Sequence, residues 1–237
     1  MAFLIPGWLR RVSEAMLTPI VNRLVAAGAS PDVITTLGTL ILVGSGVAFG
    51  FGVARLGGFL LLLSGVLDML DGRVARKSGG TTKFGAFYDS TLDRVGEAFV
   101  FGGITIFFAA GGVPDAWVMP AVATSLTALG AGLTVSYARA RAEGLGLDCR
   151  VGVAQRAERI LGLGLPTLVF SAGPGGFLLL GIVAVLALLA VITVVQRIVH
   201  VRKLTRVRKR STQARWAAPP LADVSAADIS AKERTRQ

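Results

Sequence analysis

The chain has 237 residues, 53% of them hydrophobic and 16% charged, with a mean hydropathy of +0.66. A soluble domain is nearer a quarter charged, so the composition excludes a water-soluble globule and implies an integral membrane protein. The net charge is +11, but the Lys and Arg residues edge apolar segments, which fits attraction to anionic lipid head groups and not nucleic-acid binding. Cys149 and His200 are each the sole residue of their type, which excludes an internal disulfide and speaks against a histidine-based metal site.

Residues 1–28 place Leu4, Ile5, Trp8, Leu9, Val12 and Met16 at near-helical spacing, with Arg10, Arg11 and Glu14 between them. This pattern predicts an amphipathic helix lying in the membrane interface; a simple capping segment is the alternative. The apolar stretch is short and broken by Pro6, Arg10 and Arg11, so a cleavable signal peptide is not expected.

Residues 29–205 form the expected membrane domain, an all-α bundle of six spans of roughly 20 residues each. The spans fall at about 32–53, 57–76, 84–110, 116–142, 156–171 and 175–200, the fifth being short. Arg73, Arg76, Lys77 and Lys83 surround the connection between spans two and three. Arg139, Arg141, Arg150, Arg156 and Arg159 surround the one between four and five, and a run from Arg202 to Arg210 follows span six. The three opposite connections hold one basic residue, Arg55. Cytoplasmic loops carry the Lys/Arg excess, so both termini and the 77–83 and 143–155 connections are expected on the cytoplasmic side. Residues 206–237, rich in charge, Ala, Ser and Pro, read as a basic, disordered tail.

Span two carries Asp68 and Asp71, three residues apart; span three carries Asp89 and Asp93, four apart. On helices each pair shares a face. The turn at Gly79 and Gly80 makes the helices antiparallel neighbours whose acidic faces meet near the cytoplasmic surface. Four like charges this close repel, and a divalent cation resolves the conflict. All-oxygen ligands favour magnesium, manganese or calcium over zinc. Such a site suits displacement at phosphorus. Gly72 and Gly85 allow close approach to it, and Arg76 offers a fork of donors suited to phosphate. Proton relay, cation transport or a structural ion pair are the competing readings of intramembrane acids. A transporter needs access from both faces, whereas these acids and their basic neighbours favour one.

Asp68-x2-Asp71-Gly72-x2-Ala75-Arg76-x8-Gly85-x3-Asp89-x3-Asp93 resembles, at every specified position, the signature of the CDP-alcohol phosphatidyltransferases. The resemblance implies a metal-dependent enzyme, with magnesium or manganese, that displaces CMP from a CDP-linked lipid by an alcohol hydroxyl. It implies Asp68, Asp71, Asp89 and Asp93 as metal ligands, with Asp93 also the general base. It implies Gly72 and Ala75 as room for the nucleotide, Arg76 and Thr82 as CDP contacts, and Asp32, Val33, Ile34 and Thr35 as its border. Read alone, "SPDVITTLG" marks a helix start, with Ser30 as N-cap, Pro31 at the first turn and Asp32 at the positive helix end. A homodimer in the cell membrane is also implied.

Ser136 and Arg139 end span four, Arg156 opens span five, and Arg197 lies near the cytoplasmic end of span six. Each arginine could be a positive-inside anchor or a snorkelling side chain. Together they could form a pocket for an acceptor phosphate, similar to that of the actinobacterial phosphatidylinositol phosphate synthase branch, although that branch often has Lys where Arg139 stands. The expected reaction joins CDP-diacylglycerol to inositol 1-phosphate; glycerol 3-phosphate is the alternative acceptor, and an ether-linked lipid core stays open.

Overall fold

The structure, a computed structural model, describes residues 7–153 and 156–217, with side chains described for 17–153 and 156–206. It is all-helical among the described residues: α1 Gly7–Ala26, α2 Pro31–Gly50, α3 Ala54–Lys77, α4 Lys83–Phe107, α5 Asp115–Gly144, α6 Arg156–Phe170 and α7 Phe177–Ala217. A short π-helical turn, Phe108–Gly112, continues α4, and a 3₁₀ turn, Pro174–Gly176, precedes α7.

Each expected span coincides with one of α2 to α7. Four segments are long and apolar enough to cross a membrane: Pro31–Gly50, Lys83–Gly112, Asp115–Gly144 and Pro174–Arg206. α3 carries Asp68, Asp71, Arg73, Arg76 and Lys77 towards its end, and α6 has only 15 residues, so the count of six stays an expectation. α7 runs to Ala217, into the segment expected to be a disordered tail; residues 218–237 lie outside the described residues.

The first helix forms as expected, although Leu4 and Ile5 lie outside the described residues. Its Leu17 and Val21 bury with Ile34 of α2 and with Leu70 and Val74 of α3. α1 is thus packed on the end of α3 that carries the acids, and Lys77 Nζ donates to Asn22 Oδ1.

One expectation about the bundle needs correcting. α3 and α4, although joined by a short turn, do not pack backbone to backbone; α2 packs against both. The reason lies partly in two glycines. A Cβ on Gly103 of α4 would run into the backbone of Gly46 on α2, so only this pairing lets the two helices touch. On its other side α2 donates from Ser45 Oγ to the Gly57 carbonyl of α3 at 2.7 Å. With α2 wedged against both, α3 and α4 splay and leave a cleft between their acidic faces. The main core lies deeper, around Phe49, Phe108, Ile104, Leu179 and Val183.

Candidate active site

The acids of the two helices meet across this cleft, but as three plus one. Asp68, Asp71 and Asp89 each offer a carboxylate oxygen, and these oxygens all lie within 4.8 Å of one another. Asp93, one turn further along α4, is outside that group. Its Oδ2 accepts from Arg156 Nη1, and Arg94 Nη2 lies 3.7 Å away. Helical spacing puts Asp89 and Asp93 on one face but does not fix which of them reaches α3. An arginine from α6 claims Asp93.

The three carboxylates fit a divalent cation. All donors are oxygens, as magnesium and manganese prefer, and Asp89 Oδ1 is buried with no hydrogen-bond partner among the described residues. A buried carboxylate oxygen without a partner is costly, and coordination would satisfy it. Asp71 is held from behind: Thr35 Oγ1 donates to Asp71 Oδ2 at 2.8 Å, both residues being buried. Thr36 Oγ1 pairs with Tyr88 Oη at 2.9 Å, fixing the residue next to Asp89. Successive threonines of α2 thus steady the ligands on either side of the cleft. Outer partners of metal ligands typically contribute 10–100-fold to metal affinity. Thr35→Val, which keeps the shape and removes the donor, is therefore expected to weaken manganese binding about ten-fold, read as a reduced manganese-induced rise in Tm.

The residues expected around the nucleotide gather at the same end, in varied roles. Asp32 lies in the first turn of α2, close enough to Gly85 that a Cβ there would sit 3.5 Å from its Oδ1. Val33 is exposed, whereas Ile34 is packed in the cluster with α1 and α3; its side chain is committed to the core. Gly72 lies under the Arg76 guanidinium, 3.4 Å from where its Cβ would be. Ala75 is half-buried, and its carbonyl closes the turn by accepting from Gly80 N at 3.0 Å. Thr82 caps α4, its Oγ1 accepting from Gly85 N at 2.9 Å. That cap satisfies one of the free N–H groups at a helix start.

Beside the acids opens a chamber of about 1170 Å³, lined by Asp68, Asp93, Arg94, Ser136, Arg139, Arg156, Arg159 and Arg197 among others. All four residues expected to hold an acceptor phosphate are here, brought from α5, α6 and α7. Arg156 Nη1 donates to Asp68 Oδ1 at 2.7 Å as well as to Asp93. Arg139 Nε donates to Glu143 at 2.9 Å from an exposed position. Arg197 is buried and donates to the carbonyls of Val151, at 3.0 Å, and Val135, so it also ties α7 to α5 and the 145–155 connection. Ser136 Oγ accepts from Arg94 Nη1.

Two chamber residues were not singled out in the sequence. Arg94 is masked by its neighbour Asp93, and Arg159 reads as one more cytoplasmic anchor. Glu97, which accepts from both, lies outside the acidic signature. The signal that could have found it is helical: Glu97 follows Asp93 by four residues and Arg94 by three, on one face of α4.

The sequence profile of the CDP-alcohol phosphatidyltransferases matches residues 29–202, which spans the carboxylates, the cleft and the chamber. The chain belongs to the CDP-alcohol phosphatidyltransferase family. It is 42% identical over 152 residues to the archaetidylinositol phosphate synthase of Methanothermobacter thermautotrophicus, covering 64% of this chain and 71% of that one. It is 39% identical over 156 residues to the phosphatidylinositol phosphate synthase of Cutibacterium acnes, covering 65% and 71%. The crystal structure of Mycobacterium tuberculosis phosphatidylinositol phosphate synthase with CDP-DAG bound superposes with a TM-score of 0.69 at 35% identity, covering 79% of this chain and 94% of that one. The same enzyme in complex with manganese and citrate gives 0.68 at 36%, covering 78% and 88%. Membership makes this CDP-alcohol phosphatidyltransferase a multi-pass membrane enzyme, and the transporter reading of its acids falls.

Proposed function

We propose that the enzyme transfers the phosphatidyl group of CDP-diacylglycerol to a hydroxyl of inositol 1-phosphate, releasing CMP. The observation that carries this reading is the juxtaposition of Asp93 with Ser136, Arg139, Arg156 and Arg197 around one chamber. A base stands next to a phosphate-sized set of cations, and both border the three carboxylates. The names of the relatives supply the polyol: inositol phosphate products recur in archaeal and actinobacterial members alike. The bound CDP-DAG of the tuberculosis enzyme supports the donor.

Asp68, Asp71 and Asp89 would hold magnesium or manganese, as the manganese in the tuberculosis structure supports. When bound, the metal neutralises the diphosphate and stabilises the charge that develops at phosphorus. The chain's own residues do the rest. Asp32 to Thr35, Gly72, Ala75, Arg76 and Thr82 border the CDP moiety at the mouth of the cleft. Ser136 and the arginines hold the acceptor phosphate, and so fix which hydroxyl faces the donor. Asp93 takes that hydroxyl's proton as its oxygen bonds to the phosphatidyl phosphorus, and the bond from that phosphorus to the CMP oxygen breaks. Holding nucleophile and phosphorus in line supplies much of the acceleration. The basic flanks of the spans support a cell-membrane enzyme with this chamber on the cytoplasmic side.

Purified enzyme with CDP-diacylglycerol and manganese is expected to release CMP with inositol 1-phosphate at a kcat/KM at least ten-fold above that with glycerol 3-phosphate. A preference for glycerol 3-phosphate, or for unphosphorylated inositol, overturns the assignment of the acceptor.

A further inference from the structure

Three guanidinium groups, Arg94, Arg156 and Arg159, line the inner wall of the chamber. Arg156 is answered by Asp68 and Asp93. The other two meet on a single carboxylate. Glu97 Oε2 accepts from Arg94 Nη1 at 2.8 Å, and Glu97 Oε1 accepts from Arg159 Nη1. Arg159 is 8% exposed and its Nε has no hydrogen-bond partner among the described residues, so Glu97 is the acid that balances a buried charge. An arginine in that position stays put only while its counter-ion does.

The surroundings are shaped for this pair. On α5, a Cβ at Gly132 would stand 2.5 Å from Arg159 Nη1 and 2.7 Å from Glu97 Oε1. Glycine there lets the α4–α6 ion pair press against the backbone of a third helix. From this junction two connections lead outward. Arg94 Nη1 reaches Ser136 Oγ, and Arg94 Nη2 is 3.7 Å from the base, Asp93. Arg159 lies one turn from Arg156 on α6, at the chamber wall.

We propose that Glu97 is a positioning residue for the acceptor chamber: it fixes Arg94 and Arg159, and through them Ser136 and the wall that meets the acceptor phosphate. The proposal rests on the reading of the chamber as the acceptor site. Without the carboxylate charge, Arg159 has Asp93 as the alternative anion on the same face of α4, already bridged by Arg156. Two arginines then compete for the base, and the phosphate loses the arrangement that received it. The nucleotide side, on α2, α3 and the start of α4, is not connected to Glu97 by any of these bonds.

Glu97→Gln in full-length purified enzyme is expected to raise the KM for inositol 1-phosphate at least ten-fold. The KM for CDP-diacylglycerol should stay within two-fold of wild type, and so should the manganese-induced Tm shift. Glu97→Asp should recover part of the acceptor KM. Gly132→Ala, which keeps every charge and crowds the pair, should raise the acceptor KM in the same direction, and it serves if Glu97→Gln fails to yield monodisperse protein. An unchanged acceptor KM in these variants, or a parallel rise in both KM values, overturns the role. Wild type that does not use inositol 1-phosphate at all would instead overturn the acceptor assignment.

Discussion

Asp93→Asn is expected to lower kcat for CMP release by about 10²–10⁴, the range for loss of a positioned general base, while leaving manganese binding close to wild type. That combination follows from the three-plus-one division of the acids. If Asp93 were a full metal ligand, as the resemblance of its motif implies, its loss would cost metal affinity too. Here the metal-ligating oxygens come from Asp68, Asp71 and Asp89, and Asp93 is engaged by Arg156 and Arg94. The amide keeps the size of the side chain and an oxygen for Arg156, so the fold should hold. Asp71→Asn gives the contrasting control: it should abolish both turnover and the manganese-induced Tm shift. Loss of the Tm shift in Asp93→Asn would return Asp93 to the metal site, and near-normal turnover would remove it from the base role. A fall of this size corresponds to roughly 3–5.5 kcal/mol in the barrier.

The carboxylate motif was legible because helical periodicity converts spacing into faces: 68 and 71, then 89 and 93, need no tertiary information. The spans were legible for the same reason, since a membrane imposes its thickness on apolar runs. What periodicity could not show was the relation between helices. α3 and α4 are adjacent in sequence, yet α2 packs against both because Gly46 and Gly103 permit it. Nothing local to either glycine announces the other. The inner wall of the chamber was illegible on similar grounds. Arg94, Glu97 and Arg159 acquire meaning only when α4, α5 and α6 converge, 62 residues separating Glu97 from Arg159. Arg156, Arg139 and Arg197 were read from their positions at span ends, and the structure gives each of them partners that the sequence did not. Thr35 likewise reads as a helix-start residue, and its hydrogen bond to Asp71 spans 36 positions.

Arg156→Ala is expected to do more than raise the acceptor KM. Read from the sequence, Arg156 is one cation of a phosphate pocket, and its loss should chiefly weaken acceptor binding. In the structure its Nη1 bridges Asp68 and Asp93, linking a metal-ligating carboxylate to the base. Removing it exposes two carboxylates to each other's field without a compensating charge. Breaking one partner of a half-buried charged group costs more than the pair contributes net. The acceptor KM is therefore expected to rise at least ten-fold and kcat to fall at least ten-fold, a combined loss in kcat/KM of a hundred-fold or more, roughly 2.7 kcal/mol. Arg156→Lys tests the geometry. A lysine keeps the charge as a point on a flexible stem, whereas the bridge and the phosphate each use the planar fork. It should recover kcat in part, by neutralising Asp68 and Asp93, and recover little of the acceptor KM. Full recovery of both by lysine would mean that charge alone matters at this position. Unchanged kinetics with reduced yield would make Arg156 an anchor at the membrane surface, and the bridge between Asp68 and Asp93 irrelevant to catalysis.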